Sequence, residues 1–534
     1  MASSISAEII GNAARYDQQL LVPVLPAVRR GVAVTPRENG MMVCGVPRPQ
    51  ALTGHFARTD LPRLLEKCDG TRTHARLAEE MWLTEDAAFK ALALLWSCGV
   101  IEDQEAEITQ QEAPTHLATY LSRLGDSTGV RRHWTEALYQ LRTTVIAVAG
   151  DDALVPFFEN LLRASCCCVA ATAEDADIVV FLDTPRSRPC LQEAGEGAWS
   201  REIPFLRVAV AEDVLEVGPY IDPSFTPCLD CALSCLKPLT ATYAQDGTAC
   251  LALGIACRTI VALISRTLPT HLPGDIRATD LRTLHSRYVP PATRAGCPVC
   301  SAAEGPMASV PSLAARYEQS VAIPARKFVD IKGHQAHYQP SNLNLQYQFR
   351  TFSSAPRSVL PEPRPELLDG PPAGLNLETL GLVLYYAAGL RPRDSSSGKL
   401  RRWTAAGGNI GSVGARVVIR DPMILPPGTY AYIESDHSLR RLGAAADGLD
   451  APVTLILTAN IEKVAKKYGS FALRVSIEDG GCAALTALRV SRALGISWTP
   501  VARWNERALC ASCDAIPSAE PITSVALLGV TDAH

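Results

Sequence analysis

The chain has 534 residues, of which 47% are hydrophobic and 20% are charged, with a formal net charge of -4 at pH 7. A chain of this length is too long to fold around a single hydrophobic core, so we predict about two to four domains. The slightly acidic balance excludes a general electrostatic attraction to nucleic acid. Neither a membrane-spanning apolar run nor a secretory signal is visible, so we expect a cytoplasmic protein whose seventeen cysteines are reduced or bind metal.

The first hundred residues combine short strands with a helical cluster. Residues 1–55 predict strands and turns, including a turn at 37–40. Apolar residues at helical spacing follow between 60 and 97, and residues 98–101 predict a helix stop and a short strand. Three helices closed by a strand are typical of a winged helix. Since residues 60–102 carry more acids than bases, a peptide-binding module is favoured over a DNA-binding one.

The next region predicts a Rossmann-like sheet. Apolar strands are predicted at 144–149, 177–182 and 204–210, with a helix after the first. The turn after the first strand, Gly150–Asp152, has one glycine where a phosphate-binding fingerprint needs three, and it places two carboxylates where an anion would approach. We therefore predict no nucleotide at this turn.

Cysteines occur in three C-x-x-C pairs. Two pairs provide the four thiolates of a closed, structural zinc site, and the other interpretation is four reduced core thiols. The predicted ligands are Cys228, Cys231, Cys297 and Cys300. Cys235 is close enough in sequence to substitute for one of them. The third pair, Cys510 and Cys513, has no partner pair, and a surface loop is favoured there over a redox dithiol.

The last third contains a glycine-rich segment. After a proline-rich stretch at 301–375, which predicts a linker and arm, an apolar helix is predicted at 377–386. Residues 405–412 contain three glycines before a strand at 415–419, and two arginines precede them. Glycines let backbone N–H groups approach a phosphate or a flavin closely, although a glycine-rich hairpin would have the same composition.

A lysine–tyrosine pair follows. Lys467 and Tyr468 lie between strands predicted at 453–458 and 471–475 and can transfer protons, although a solvated basic turn would look similar. For base chemistry, burial or a neighbouring cation such as Lys463 or Lys466 must lower a pKa. Residues 478–480 predict the N-cap of a helix over 482–494.

These residues resemble a known family. Lys467-Tyr468-Gly469, Asp479-Gly480-Gly481, the helix end at 492–496 and the segment 407–412 resemble the FMN-dependent azoline dehydrogenases of thiazole/oxazole-modified peptide biosynthesis, a branch of the nitroreductase-like flavoproteins. The motif at 69–73 resembles leader-peptide recognition modules, and residues 140–305 are similar to the ThiF-like scaffold with a zinc tetrathiolate of cyclodehydratase partner proteins.

The resemblance implies a multidomain α/β and α+β chain. Its expected parts are a winged-helix leader-binding module (1–110), a degenerate Rossmann-like ThiF-type scaffold with zinc (111–310), a linker (311–375) and a nitroreductase-like α+β FMN domain (376–534). It also implies a homodimer that receives a precursor peptide from a separate cyclodehydratase, without nucleic acid or membrane. Lys467 and Tyr468 would transfer protons during oxidation of azolines to azoles. The implied flavin contacts are Arg350, Ser353, Arg401, Arg402, Gly407, Gly408, Asn409, Gly480, Gly481 and Gly495.

Two other functions stay open. The family's arginine-rich serine motif is only echoed at 350–354, and its proline–serine step is replaced at 404–406. Both differences favour a non-catalytic scaffold that presents the precursor to a cyclodehydratase. An adenylating enzyme acting through residues 140–300 is the third hypothesis, and the incomplete glycine turn argues against it.

Overall fold

The structure is a computed structural model and describes residues 5–46, 49–104, 113–124, 130–170, 172, 174–239, 242–244, 246–268, 270–322, 340–392 and 399–529. Its internal contacts divide the chain into two compact units, residues 1–338 and 339–534, and each is described by itself. The predicted fold class, a multidomain chain of α/β and α+β type, is confirmed.

The first unit begins with a small helical domain that has a three-stranded antiparallel sheet, β2-β3-β4, and a two-stranded sheet, β1-β5. Thr73 and Thr84 cap the two main helices, and their apolar faces share one core with the sheet. The predicted turn at 37–40 and the helix stop before Gly99 are confirmed. The elements are α1 Ala7–Ala14, β1 Pro26–Val28, β2 Ala33–Arg37, β3 Gly40–Cys44, β4 Gln50–Thr53, α2 His55–Thr59, α3 Leu61–Lys67, α4 His74–Met81, α5 Glu85–Ser97 and β5 Ile101–Asp103.

A seven-stranded sheet follows, in the order β12-β11-β10-β9-β8-β6-β7. The three predicted strands are confirmed as β6, β8 and β9, and they pair in parallel. Alternate residues of β8 enter separate cores on the two faces, as expected for a strand covered on both sides. The elements are α6 Thr115–Leu124, α7 Trp134–Thr143, β6 Val145–Gly150, α8 Val155–Ala164, β7 Cys168–Val169, β8 Ile178–Asp183, α9 Leu191–Ser200, β9 Phe205–Ala211, β10 Val214–Ile221, α10 Leu229–Leu233, α11 Asp246–Ser265, β11 Ile276–Asp280, β12 Ser286–Val289 and α12 Leu313–Val321.

Helix α11 has the length and apolar character of a membrane span, as no other described helix does. Most of its apolar residues are buried against the sheet, including Leu253, Ile260 and Leu263. Burial in the core of the first unit therefore accounts for its composition.

The second unit is built on an antiparallel sheet in the order β13-β16-β15-β14-β17-β19-β18. Helices α14 and α16 cover one face and α17 the other. Residues 357–359, predicted to lie in a linker, form the edge strand β13, and residues 323–339 of that stretch lie outside the described residues. The elements are α13 Pro340–Leu345, β13 Arg357–Val359, α14 Leu377–Ala388, β14 Val413–Ile419, β15 Gly428–Ile433, β16 Ser438–Gly443, β17 Val453–Ala459, α15 Ile461–Tyr468, α16 Ala472–Ala493, β18 Trp498–Pro500, α17 Glu506–Ser512 and β19 Ile522–Leu528.

Two local predictions are wrong in this unit. Residues 471–475, predicted as a strand, form a helical turn and the start of α16. Residues 478–480, predicted as an N-cap, lie inside the same helix, which runs without interruption for 22 residues. The apolar residues of 471–475 reflect packing of this helix end against helix α15, Leu345 and Ile410.

Candidate functional site

The lysine–tyrosine pair occupies the last turn of helix α15. Asn460 caps the start of this helix by accepting a hydrogen bond from the backbone N–H of Lys463, and Gly469, with a φ of 58°, ends it. Lys467 and Tyr468 are half-buried, whereas Lys466 is exposed and donates to Gln348. The interpretation of this stretch as a solvated basic turn is therefore wrong.

The glycine-rich segment packs directly on this pair. Gly407–Asn409 form a single 3-10 turn in which Gly408 has a φ of 58°. A Cβ atom added at Gly408 would lie 2.7 Å from both Lys467 Nζ and Tyr468 Oη. Only glycine combines this backbone conformation with so close an approach. The structure thus brings together the two motifs that the sequence analysis found some 60 residues apart.

Asp479 links the glycine-rich segment to helix α16. Its carboxylate accepts the backbone N–H of Gly407 at 2.8 Å and the hydroxyl of Ser412 at 2.7 Å, and the residue is 5% exposed. Helix α16 itself is held against the sheet at Gly480, where an added Cβ would lie 2.6 Å from Thr523 Oγ1. The carboxylate therefore fixes the position of the glycine turn relative to the helix.

Burial shifts the pKa values at the site in opposite directions. Burial lowers the pKa of Lys467. It raises the pKa of Tyr468, and the negative charge of Asp479 raises that pKa further. Burial also raises the pKa of Asp479 despite the two hydrogen bonds. The cations named in the sequence analysis do not account for the Lys467 shift, since burial alone does so. Clustered, perturbed groups of this kind are typical of functional sites.

Buried donors without acceptors lie beside the same segment. Arg402 donates to the backbone carbonyls of Gln346 and Ile410, but its Nε is buried without an acceptor, as is Nε1 of Trp403. Lys463 donates to the carbonyl of Gly411 at 3.0 Å, and burial, with help from Arg402, lowers its pKa to about 8. Buried polar groups are almost always paired, so orphaned donors indicate a bound group rich in acceptors. FMN, with its ring carbonyls and phosphate, fits this set of donors.

The remaining predicted flavin contacts are distributed differently. Asn409 donates to the carbonyl of Leu400 and to Gln346, while Arg401 and Ser353 are exposed. Arg350 pairs with Glu520 and Asp514 in a separate carboxylate network.

The two glycines predicted further along α16 differ in position. Gly481 has open space where its Cβ would be, whereas Gly495 lies beyond the far end of the helix, against Pro372. A helix rises 1.5 Å per residue, so Gly495 is roughly 20 Å from Asp479. The structure brings Gly407 and Gly408 to the pair but not Gly495.

Sequence reasoning gave one member of the site the wrong role and missed a second. Asp479 was assigned to a cap, whereas the structure buries it inside helix α16. Glu434 follows strand β15 with a pKa raised by burial, while the charges of Arg402 and Lys463 oppose the shift. Nothing in its local sequence distinguishes it, because its neighbours are brought close only by the sheet.

The first two cysteine pairs converge in the first unit. The sulfur atoms of Cys228, Cys231, Cys297 and Cys300 all lie within 4.8 Å of one another, and the first three residues are buried. Cys228 and Cys297 are 3.8 Å apart at Sγ, close to the edge of about 3.8 Å expected for a tetrahedron with zinc–sulfur bonds of about 2.3 Å. The site therefore fits zinc.

Arg294 lies beside this cluster. Its backbone N–H and its Nε both lie 3.4 Å from Cys231 Sγ, and its guanidinium also binds Asp230. Cys235 is not part of the cluster and contacts the carbonyl of Cys231 instead. A tetrathiolate around a divalent ion carries excess negative charge, which the Arg294 guanidinium partly offsets.

Two other sequence motifs have structural roles. At the turn after β6, the buried carboxylate of Asp151 accepts the hydroxyl of Thr184 at 2.6 Å, which disfavours a phosphate there. The third cysteine pair does not lie on a surface loop as predicted. Cys510 and Cys513 are 1% and 0% exposed and belong to a core cluster under α17.

Comparisons with known proteins give fold likenesses only. No protein-family model and no curated protein sequence matches this chain. The heterocyclase TruD is 16% identical with a TM-score of 0.41, over 80% of this chain and 64% of that one. MccB from E. coli is 12% identical with a TM-score of 0.41, over 52% of this chain and 96% of that one.

A protein assigned as a nitroreductase, from Ralstonia eutropha, is 22% identical with a TM-score of 0.28, over 35% of this chain and 95% of that one. The present chain spans less than two thirds of the length of TruD and 39% of a second heterocyclase structure. At these scores the likenesses carry no argument about activity.

Proposed function

We propose that this chain is an FMN-dependent dehydrogenase that oxidises azoline rings to azoles in a ribosomally made precursor peptide, in the cytoplasm. The supporting observation is the packing of Gly408 against Lys467 and Tyr468, beside the orphaned donors of Arg402 and Trp403. Proton-transfer groups and unmet donors at one place suit a site that removes a proton next to an acceptor-rich cofactor.

The pair divides the acid and base roles. Lys467, whose pKa burial lowers, is the residue that loses its proton more readily and acts as the base on the ring α-carbon. Tyr468, whose pKa burial raises, stays protonated and donates a hydrogen bond. FMN bound here would supply the hydride acceptor, and the ring would lose two hydrogens and two electrons in total. Dioxygen would reoxidise the flavin.

The chain's own residues that would hold FMN surround the glycine turn. Arg402 and Lys463 provide positive charge for the phosphate or a ring carbonyl, and Arg402 has an unused donor. Asp479 keeps the turn in place.

Purified protein tests the proposal. We expect a yellow protein that releases FMN on denaturation and removes two hydrogens per ring from a thiazoline-containing peptide, as measured by mass spectrometry. A colourless protein that stays inactive with added FMN would contradict the catalytic function.

Other parts of the chain have supporting roles in this proposal. The four cysteines would hold a structural zinc ion, and the N-terminal winged helix would bind the leader of a precursor delivered by a separate cyclodehydratase. A homodimer is supported by helix α16, where Ile477, Gly481 and Leu485 leave an exposed stripe at four-residue spacing.

A non-catalytic scaffold is the second candidate. It is favoured by Arg350, which pairs with Glu520 and Asp514 and so is engaged away from a phosphate. In that case, replacing Lys467 and Tyr468 by alanine would leave peptide processing by the pathway unchanged. A loss of azole formation in the double variant, with flavin still bound, would exclude it.

A further inference from the structure

The first unit contains a cavity of about 430 Å³, lined by the predicted winged helix and by two arginines beyond it, that no part of the catalytic proposal uses. One wall is the irregular segment 14–24 after helix α1, the second is helix α5 with Phe89 and Trp96, and the third is Arg131 and Arg132. Its volume falls within the range of ligand-binding pockets.

Arg131 is the unsatisfied charge of this cavity. It is half-buried, its Nε is buried without a hydrogen-bond acceptor, and it makes no ion pair among the residues that the structure describes. Burial lowers the pKa of Arg131. The negative charge of Glu136 opposes this shift, and the positive charge of Arg266 adds to it. A guanidinium withdrawn from water without a partner is costly, so the position favours an anion.

Three of the other four charged groups of the cavity are already engaged, and the fourth, Arg132, is exposed. Asp103 accepts the backbone N–H groups of Val24 and Leu25, and Asp17 accepts that of Gln19. Arg15 pairs with Asp86 and lies over the ring of Phe89. Since both carboxylates have donors, the charge left for a ligand to neutralise is positive.

The surroundings of the cavity are apolar and extend beyond it. Leu20 and Trp96 line the interior, while Tyr16, Leu21 and Val24 line it with 88%, 36% and 43% of their surface exposed. Exposed apolar side chains continuous with a lined cavity suit a ligand longer than the cavity itself. A peptide with apolar side chains has that shape, and a small carboxylate does not.

We propose that this cavity binds a peptide segment carrying a carboxylate side chain between apolar ones, with the carboxylate on the guanidinium of Arg131. Its identification with part of the precursor outside the modified rings rests on the proposed function. The binding site itself rests on the cavity, the unpaired arginine and the apolar rim.

The test selects a randomised dodecapeptide phage library on the immobilised full-length chain, without substrate or added flavin. The enriched peptide is then synthesised with a fluorescein label and its Kd is measured by anisotropy. We expect an Asp or Glu flanked by apolar residues. Arg131→Gln should weaken binding about tenfold, as expected for a charged hydrogen bond.

Two control changes, one in the protein and one in the peptide, test whether binding depends on the contact between Arg131 and the peptide carboxylate. Arg63→Gln removes an exposed arginine of helix α3 that does not line the cavity, and it should leave the Kd unchanged. Replacing the acidic residue of the peptide by its amide should weaken binding to the native chain but not further weaken binding to Arg131→Gln. Because the described residues give the Arg131 side chain no ion pair to lose, its variant should fold normally, which circular dichroism checks.

The inference is overturned if the selected peptides carry no acid, or if Arg131→Gln and Arg63→Gln bind them equally. Its failure is separate from that of the catalytic proposal, because the assay needs neither flavin nor ring. A colourless, inactive protein that binds the acidic peptide through Arg131 would contradict the proposed function but not this inference. A yellow, active protein whose peptide binding does not depend on Arg131 would contradict this inference but not the proposed function.

Discussion

At the scale of single residues, Lys467 and Tyr468 share one environment and respond to it in opposite ways. Burial removes solvation from the charged form of each group, which is the protonated form of lysine and the deprotonated form of tyrosine. The pKa of Lys467 therefore falls and that of Tyr468 rises. The same half-buried position thus produces a base and an acid next to each other.

Replacing Lys467 by methionine should lower kcat by at least about a hundredfold, since a positioned general base contributes on that order. In the native chain, kcat/KM should rise with pH through an apparent pKa below that of free lysine, because the neutral amine is the active form. The measurement is a pH–rate profile, with flavin content followed by absorption at each pH.

Lys466→Met is the matched control for that change, since Lys466 is the adjacent residue, is exposed, and donates a side-chain hydrogen bond to Gln348. It should retain the native rate and profile. Equal losses in the two variants would mean that the charge of the helix end, and not the base at Lys467, supports the activity.

Gly408→Ala should lower kcat, because the added Cβ would displace the side-chain ends of Lys467 and Tyr468 from the glycine turn. The added Cβ would meet Lys467 Nζ and Tyr468 Oη at 2.7 Å, in addition to the strain of a positive φ. Gly448 also has a positive φ, of 77°, but open space around its Cβ. Gly448→Ala should therefore show the backbone strain, about 1–2 kcal/mol of stability, without loss of kcat. Similar kinetics in both variants would argue against the close packing.

The residues of the site were only partly predictable. Lys467, Tyr468 and Gly408 were found because each belongs to a short motif with a chemical reason of its own. Asp479 was named but given the wrong role, because a carboxylate before two glycines looks like a helix cap. Its actual partners, Gly407 and Ser412, lie some 70 residues upstream, and no local pattern links them.

At the scale of secondary structure, helix α16 shows why local signals failed in the second unit. Gly480 and Gly481 predict an interruption, since glycine disfavours a helix interior. The helix continues because Gly480 is needed for contact with Thr523 of β19, where a side chain would collide. Packing against the sheet therefore outweighs local propensity. Strands β6, β8 and β9 were predictable because continuous apolar runs have few other structural solutions.

The exposed stripe of α16 makes the homodimer testable. Leu485→Glu places a charge on a residue that is 55% exposed in the single chain, so it should leave the monomer folded and shift the measured mass from dimer to monomer. Light scattering after size-exclusion chromatography measures this. Met423→Glu makes the same change at a residue that is 89% exposed in the same unit and should leave the dimer intact. A native chain that is monomeric would contradict the dimer.

At the scale of the whole molecule, the sequence predicted the kinds of domain better than their limits. Cysteine spacing and strand patterns identified the parts, since each is set by nearby residues. The division at 338/339 lies inside the linker predicted at 311–375. The same proline-rich stretch also forms β13, which joins a sheet with strands some 80 residues downstream, and no local pattern indicates that pairing. Helix α1, only eight residues long, was missed for lack of a repeating pattern.

Each unit has its own cores, so removal of zinc should affect the two units differently. Cys297→Ser in the full chain should eliminate one zinc ion and lower the unfolding temperature of the first unit, since a structural zinc site contributes on the order of 10 kcal/mol to folding. Flavin absorbance, which reports the second unit, should be retained up to its own transition. Calorimetry, metal analysis and absorption on one sample measure all three quantities.

Two further variants separate the zinc site from general disturbance of the core. Cys235→Ser alters a half-buried thiol next to the cluster that contacts only the carbonyl of Cys231, so zinc content should not change. Arg294→Leu removes the two kinds of stabilisation that the guanidinium gives the site, its hydrogen bond to Cys231 Sγ and its positive charge. We expect it to bind zinc but release it faster to a chelator, with partial recovery in Arg294→Lys, which restores the charge alone. Zinc release from Arg294→Leu at the native rate would mean that the guanidinium does not stabilise the site. A native chain that contains no zinc would mean that the cluster holds no ion, and that the first unit is stabilised by its apolar packing.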